Sequence, residues 1–264
     1  MIYCLQGMTV PRKAPKLIAD GSLGSHTAWM RNPYKNAPDT CGTPNMSDDE
    51  IYELMKCAHD HGMQIATHCI GDAAVQQVLD TYERIQLENP RTNCRHGIVH
   101  CQIMDSIQQD RFQKQNILAY IQPIFLRYDM HIVDDCIGAE NSAQTYNWRR
   151  FADLGVHMSG GSDCPVEHFD IIPNLAYAVT RTNPNTGESW HKENSLSLEE
   201  AVKMFTYEGA YTSFSENVRG SLKPGKLADL VVLDKDIFKI PGSEIHTAKV
   251  LLTMAGGKIS YNSF

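Results

Sequence analysis

Short apolar runs alternate with longer amphipathic stretches along most of the chain, and that alternation predicts successive βα units. KLIAD (residues 16–20) predicts a short strand, followed by the Gly/Ser/Thr-rich loop DGSLGSHT. Residues 31–46, rich in Pro, Asn, Gly and Thr, predict loop. In SDDEIYELMKCAHDHG, Ser47 and Glu50 form a capping box ahead of a helix. Ile51, Leu54, Met55 and Ala58 recur in it at helical spacing, and Gly62 stops it. MQIATHCI predicts a strand, residues 72–87 an amphipathic helix, RHGIVHC a strand, SIQQDRFQKQN a helix and ILAYIQP a strand. The polar stretch to Leu154 predicts loop and helix, and VHMSGGSD a strand closed by a glycine turn. Residues 172–183 and 197–207 predict two more helices, the second with Ser195 and Ser197 as cap candidates.

This order implies an α/β fold with a parallel sheet. The tail departs from it. ADLVVLD, KVLLTMAGG and GKISYN predict three strands with no long helix between them. The composition shift near Leu222 therefore divides the chain into an α/β part, residues 1–221, and a small all-β part, residues 222–264. There are no repeats and no low-complexity tracts.

Composition narrows the function classes. The 264 residues are 42% hydrophobic and 21% charged, ordinary values for a globular protein. The net charge of −7 argues against nucleic acid as a partner, and the cluster Arg12, Lys13 and Lys16 is too short to make a basic face. No apolar run approaches the roughly 18 residues that span a bilayer, so no membrane partner is expected. The N-terminus lacks the charged and apolar regions of a secretory signal. None of the eight cysteines forms a C-x-x-C pair, which disfavours a cysteine zinc site; several sit in apolar stretches as small buried hydrophobes. A reducing, cytoplasmic setting is expected.

Polar residues gather at predicted strand ends. Lys16 opens KLIAD, His68 ends QIATH, His100 ends GIVH, and Asp163 follows VHMSGGS. In a (β/α) barrel the carboxyl ends of the strands form the mouth that carries the chemistry. Four such groups converging there would bind one or two divalent metals, since imidazole and carboxylate are ligands of hydrolytic zinc. On spacing alone the plainer readings stay open. A strand-end histidine is often a hydrogen-bonded structural residue, an aspartate after Gly-Gly-Ser is often a turn former, and a lysine is often just solvated. GSLKPGK (residues 220–226) fits a phosphate-loop pattern but is rejected. Leu227 stands where Ser or Thr should bind magnesium, and a strand follows where a helix is needed.

KLIADGSLGSHTA, THCIGDAAV, RHGIVHCQ, IQPIF, SGGSDCPVE, AVTR and GSLKPGKLADLVVLD occur in that order. Together they resemble the amidohydrolase superfamily, in the branch of N-substituted formamide deformylases and exoenzyme-regulator-like proteins, from about Lys16 onward. The resemblance implies a partial TIM (β/α) barrel, strands four to eight, followed by a small β-segment of the superfamily's composite domain. It also implies hydrolysis of a C–N bond in an amide, formamide or cyclic amide by metal-activated water. Lys16 resembles the lysine that many relatives carboxylate to bridge two metals. His68, in HCIGD, and His100 resemble the ligands of strands five and six. Asp163 resembles the strand-eight aspartate, which binds metal and takes a proton from the attacking water. The implied cofactor is a divalent metal, zinc first, and the implied partner a small-molecule substrate.

Two departures stand out. His26 occupies a place where relatives usually carry Arg, which points to drift or altered substrate contact. No H-x-H follows a strand; His59 and His61 fall near the end of a predicted helix and read as surface residues. The resemblance thus covers about half of what relatives contain. It leaves sheet edges and an apolar face uncovered, so a homo-oligomer or a separate N-terminal half is expected as partner. The missing pair also motivates a second reading, a non-catalytic half-barrel acting as a binding protein. A regulatory role, suggested only by the branch, is weaker still. Asp20 and Ser22 lie close to the mouth as substrate-contact candidates, Gln122 and Arg181 read as structural or substrate-contacting, and Asp72 reads as a helix cap. The substrate is not legible, because loops set specificity on this scaffold.

Overall fold

The computed structural model describes residues 14–264, so the readings of Cys4, Arg12, Lys13 and the N-terminal stretch lie outside the described residues. The chain runs β1 (Lys16–Ile18), α1 (Asp48–Asp60), β2 (Ala66–Cys69), α2 (Asp72–Glu88), β3 (Gly97–His100), α3 (Ser106–Gln115) and β4 (Leu118–Ile121). Short helices α4 (Leu126–Asp129), α5 (Val133–Ile137), α6 (Ala139–Ser142) and α7 (Trp148–Asp153) precede β5 (Met158–Gly160). Then come α8 (Ile171–Thr180), α9 (Leu198–Met204), α10 (Tyr207–Thr212), β6 (Leu230–Leu233), β7 (Val250–Ala255) and β8 (Lys258–Asn262). The chain divides into two compact units: one runs to Ile121 and resumes over Tyr128–His157, and the other comprises Gln122–Arg127 and Met158–Phe264.

In the first unit β1, β2, β3 and β4 lie parallel in that order, with helices in the crossovers. Register aligns Leu17, Thr67, Ile98 and Ala119 across the four strands, and all four are buried. Tyr82 of α2 reaches that face, its hydroxyl 3.0 Å from Thr67 Oγ1 and donating to the Gly97 carbonyl. The other face carries Ile18, His68, Val99 and Tyr120 in register. It is less covered, with Ile18 41% exposed. Phe112 of α3 packs against Phe151 of α7 with ring centroids 4.8 Å apart.

The helix signals work locally. Ser47 caps α1 in a full capping box, Asp105 does the same for α3, and Ser197 for α9. Four expectations need correction. Gly71, not Asp72, is the N-cap of α2; the Asp72 carboxylate instead accepts from the Arg31 backbone N–H and Nε. Leu54 is exposed and His59 fully buried, so the helix stripe is rotated from the predicted one. Ser195 is no cap; its hydroxyl donates to the Lys192 carbonyl. The helix expected to reach residue 183 stops at Thr180, because Arg181 takes a left-handed conformation as its C-cap.

In the second unit α8 packs against α9 and against the turn Gly242–Thr247. β6, β7 and β8 form an antiparallel sheet, which settles the rejected phosphate loop: a strand does follow Leu227. Val231, Ile259 and Tyr261 of this sheet are exposed. Among the described residues no helix is long and apolar enough to cross a membrane. Cys69, Cys94, Cys101 and Cys136 are buried as the sequence suggested, whereas Cys57 and Cys164 are exposed.

Candidate metal centre

His68 is the penultimate residue of β2 and His100 the last of the adjacent β3, yet simple alternation would separate them. Register pairs His68 with Val99 and Cys69 with His100, which assigns the two histidines to opposite sheet faces. The backbone overrides this. His100 and Cys101 both have positive φ, 82° and 52°, and the two imidazoles meet edge to face with centroids 4.4 Å apart. Non-glycine residues in such conformations cost on the order of 1–3 kcal/mol each and persist only where neighbours hold them. Here the Cys101 thiol donates to the Ile98 carbonyl and the Ile103 amide to the Ile70 carbonyl.

The tautomer of His68 follows from its neighbours. Its Nε2 lies 2.8 Å from the Gly21 carbonyl oxygen and 3.3 Å from Asp20 Oδ1. A carbonyl can only accept, so Nε2 carries the hydrogen, and in the neutral ring Nδ1 is left with the lone pair. Asp20 is itself fixed. It is 1% exposed, Oδ1 accepts from the Ile70 amide, and Oδ2 accepts from those of Trp29 and Gly71. Asn45 Nδ2 donates to the Asp20 carbonyl. Gly21 has to be glycine here, because a Cβ would stand 2.0 Å from Thr27 Oγ1. Ser22 is exposed and its hydroxyl lies 2.7 Å from that of Ser25. His26, with φ 55°, sets its ring edge to face against Tyr34 at 4.8 Å.

Lys16 is partly buried and pairs with Ala66, two residues before the Ile18–His68 pair, so strand alternation gives it the same sheet face as His68. The first unit therefore brings together Asp20, Gly21, His68 and His100, with Lys16 further back on the same face. Asp163, Gln122 and Arg181 belong to the second unit. Asp163 follows β5 with φ 56°, and its carbonyl accepts from the Val166 amide. Gln122 is buried at the start of the turn Pro123–Phe125. Arg181 is fully buried; its Nε donates to the Trp190 carbonyl and its guanidinium lies 5.2 Å from the Trp190 ring centre.

A second cluster competes for a metal. His59, Cys94 and His96 are all buried, and their ligand atoms lie within 4.8 Å of one another. His59 is thus no surface residue. The hydrogen bonds decide against a cation. The Ile65 amide donates to His96 Nδ1 at 3.0 Å, which puts the His96 hydrogen on Nε2. That group donates to His59 Nδ1 at 2.9 Å, and His59 Nε2 then donates to the Asn89 carbonyl at 2.7 Å. Every ring nitrogen is committed, and a metal on His96 Nε2 would drive a proton onto Nδ1 against the Ile65 amide. Burial, with His59 and Arg91 nearby, pushes the His96 pKa down to about 3, so the ring stays neutral. The relay ties the end of α1 to the start of β3.

The donor set at His68 and His100 therefore fits a divalent metal, and the one at His59 and His96 does not. The parallel α/β array carries two histidines near the carboxyl ends of the adjacent strands β2 and β3. The chain belongs to the Amidohydrolase family, which it matches over residues 10–261. It is 32% identical over 260 residues to YtcJ of Bacillus subtilis (strain 168), covering 97% of this chain and 48% of that protein. It is 28% identical over 218 residues to the N-substituted formamide deformylase of Arthrobacter pascens, covering 81% of this chain and 40% of that protein. Among solved structures, an uncharacterized metal-dependent hydrolase from Pyrococcus horikoshii OT3 aligns with a TM-score of 0.76 at 27% identity, over 86% of this chain and 45% of that one. The chain spans less than half the length of each of these relatives.

Proposed function

We propose that the chain carries metal-binding residues of a hydrolase that cleaves C–N bonds in amides, formamides or cyclic amides. The observation that supports this best is the fixed tautomer of His68, which leaves Nδ1 available beside the ring of His100. In this reading the parallel strands are strands four to eight of a TIM-type barrel, and residues 222–264 are a small β-segment apart from it. His68, His100, Asp163 and Lys16 hold a divalent metal, zinc first. Lys16 does so as a carbamate, since its ammonium offers no lone pair. A divalent metal held by these residues would supply Lewis-acid chemistry for a substrate carbonyl and an attacking water. Asp163 accepts the water's proton and delivers it to the leaving nitrogen. Ser22, His26 and Gln122 contact the substrate. A second copy, or a separate N-terminal half, covers the exposed face of the parallel sheet, and the working compartment is the cytoplasm.

Elemental analysis after zinc loading tests the reading. About one ion per chain is expected, and none in His68→Ala/His100→Ala. Equal metal content in the two proteins refutes it. With metal bound, a panel of amides and formamides separates the two functional readings: the absence of an H-x-H after any strand favours a binding protein if no amide turns over.

A further inference from the structure

We propose that the dipeptide Asp20–Gly21 is a positioning element that fixes which nitrogen of His68 carries the hydrogen and which keeps the lone pair. The Gly21 carbonyl oxygen, 2.8 Å away, is the hydrogen-bond partner of His68 Nε2, and Asp20 Oδ1 stands beside it at 3.3 Å. Neither is free to move away. Three backbone amides, from Trp29, Ile70 and Gly71, hold the two carboxylate oxygens, and these amides come from the loop after β1 and from the end of β2. The Gly21 amide donates to the Thr27 carbonyl, and Thr27 closes on Gly21 where any side chain would collide. The carboxylate is buried to 1% exposure with both oxygens engaged, which leaves it no surface for a substrate. Its remaining interaction is with the histidine. A carboxylate and a carbonyl behind an imidazole make that ring a stronger donor on its far side and hold its plane.

The tautomer stands independently of the proposed hydrolase reading; its consequence for metal affinity rests on that reading. The test uses the full chain labelled with 15N-histidine and stripped of metal. Long-range 1H–15N spectra should show His68, identified by its loss in His68→Gln, as the Nε2–H tautomer. In Asp20→Asn one of the three backbone amides meets an NH2 group. There the Nδ1–H tautomer should appear, and zinc affinity by chelator competition should fall roughly 10- to 100-fold. An Nδ1–H tautomer in the wild-type chain overturns the proposal, and that spectrum decides even where Asp20→Asn does not fold. A folded Asp20→Asn that melts lower but keeps the wild-type tautomer and zinc affinity reduces Asp20 to a structural role and also overturns it. A wild-type chain that binds no zinc, yet shows the Nε2–H tautomer lost in Asp20→Asn, sinks the hydrolase reading and leaves the positioning role standing.

Discussion

Acid should weaken this chain by a definite amount through one buried side chain. His96 is 4% exposed, stacks on Tyr82, and accepts the Ile65 amide at Nδ1. Burial is the largest cause holding its pKa near about 3 in the folded chain, against about 6.5 in an unfolded one. The folded value is the lower, so the contribution of neutral His96 is complete above about pH 6.5. As pH falls further, the unfolded chain takes up a proton that the folded chain refuses. Stability drains away until about pH 3, where the folded ring protonates too. Each unit in that window is worth about 1.4 kcal/mol, so going from pH 8 to pH 5 removes about 2 kcal/mol through this group alone. That is a sizeable part of the roughly 5–15 kcal/mol that holds a domain together. Urea unfolding at both pH values, in chelator so that metal release does not contribute, measures the loss. His96→Asn serves as the control, because its Oδ1 still offers the Ile65 amide an acceptor while nothing there titrates. It should be less stable at pH 8, by roughly 1–3 kcal/mol. It should also lose about 2 kcal/mol less than wild type on going to pH 5. An equal loss in both proteins would show that His96 protonates in the folded state without penalty, and the relay as described would be wrong.

Two further substitutions probe the packing of the first unit. Gly71→Ala should destabilise by about 3 kcal/mol: the φ of −81° suits alanine, but its Cβ would stand 2.0 Å from the Trp29 carbonyl oxygen. A urea midpoint within error of wild type would rule out that close approach. Phe112→Ala should cost about 3–5 kcal/mol, since the ring is fully buried against Phe151. A loss below about 1 kcal/mol in a thermal melt would mean that α3 and α7 do not share this core.

Periodicity and capping chemistry made most of the elements legible, because both are local. Ser47 with Glu50 and Ser197 with Glu200 announce helix starts that the structure reproduces. Polar residues on buried faces were harder. His59 lies four residues after Met55 and eight after Ile51, on the stripe that α1 buries, but a histidine on an apolar stripe contributes nothing to a hydrophobic pattern. Its ring partners, His96 and the Asn89 carbonyl, come from outside α1. His100 meets His68 as expected, but by a route that periodicity does not show. Strand alternation predicts its face correctly up to the last residue, and then a positive φ that no side-chain pattern encodes turns the ring toward His68.

A histidine equipped to bind metal differs from a structural one in the backbone group its ring meets. His68 lies in β2 and His96 directly precedes β3, and residue type alone cannot rank them. What ranks them is the polarity of the backbone group that each ring meets. At His96 an amide donor occupies Nδ1, which pins the hydrogen on Nε2 and leads into a chain that ends on the Asn89 carbonyl, so no lone pair is left over. At His68 a carbonyl acceptor occupies Nε2, which pins the hydrogen there and leaves Nδ1 as the lone pair. An acceptor behind a histidine equips it to bind metal, and a donor in the same place spends it. The sequence did contain a clue to the first case. An Asp-Gly pair directly after a strand supplies a short carboxylate beside a carbonyl that approaches closely, because glycine has no side chain. The observed hydrogen bonds of Asp20 and Gly21 give that dipeptide its meaning, and they do so without reference to any metal.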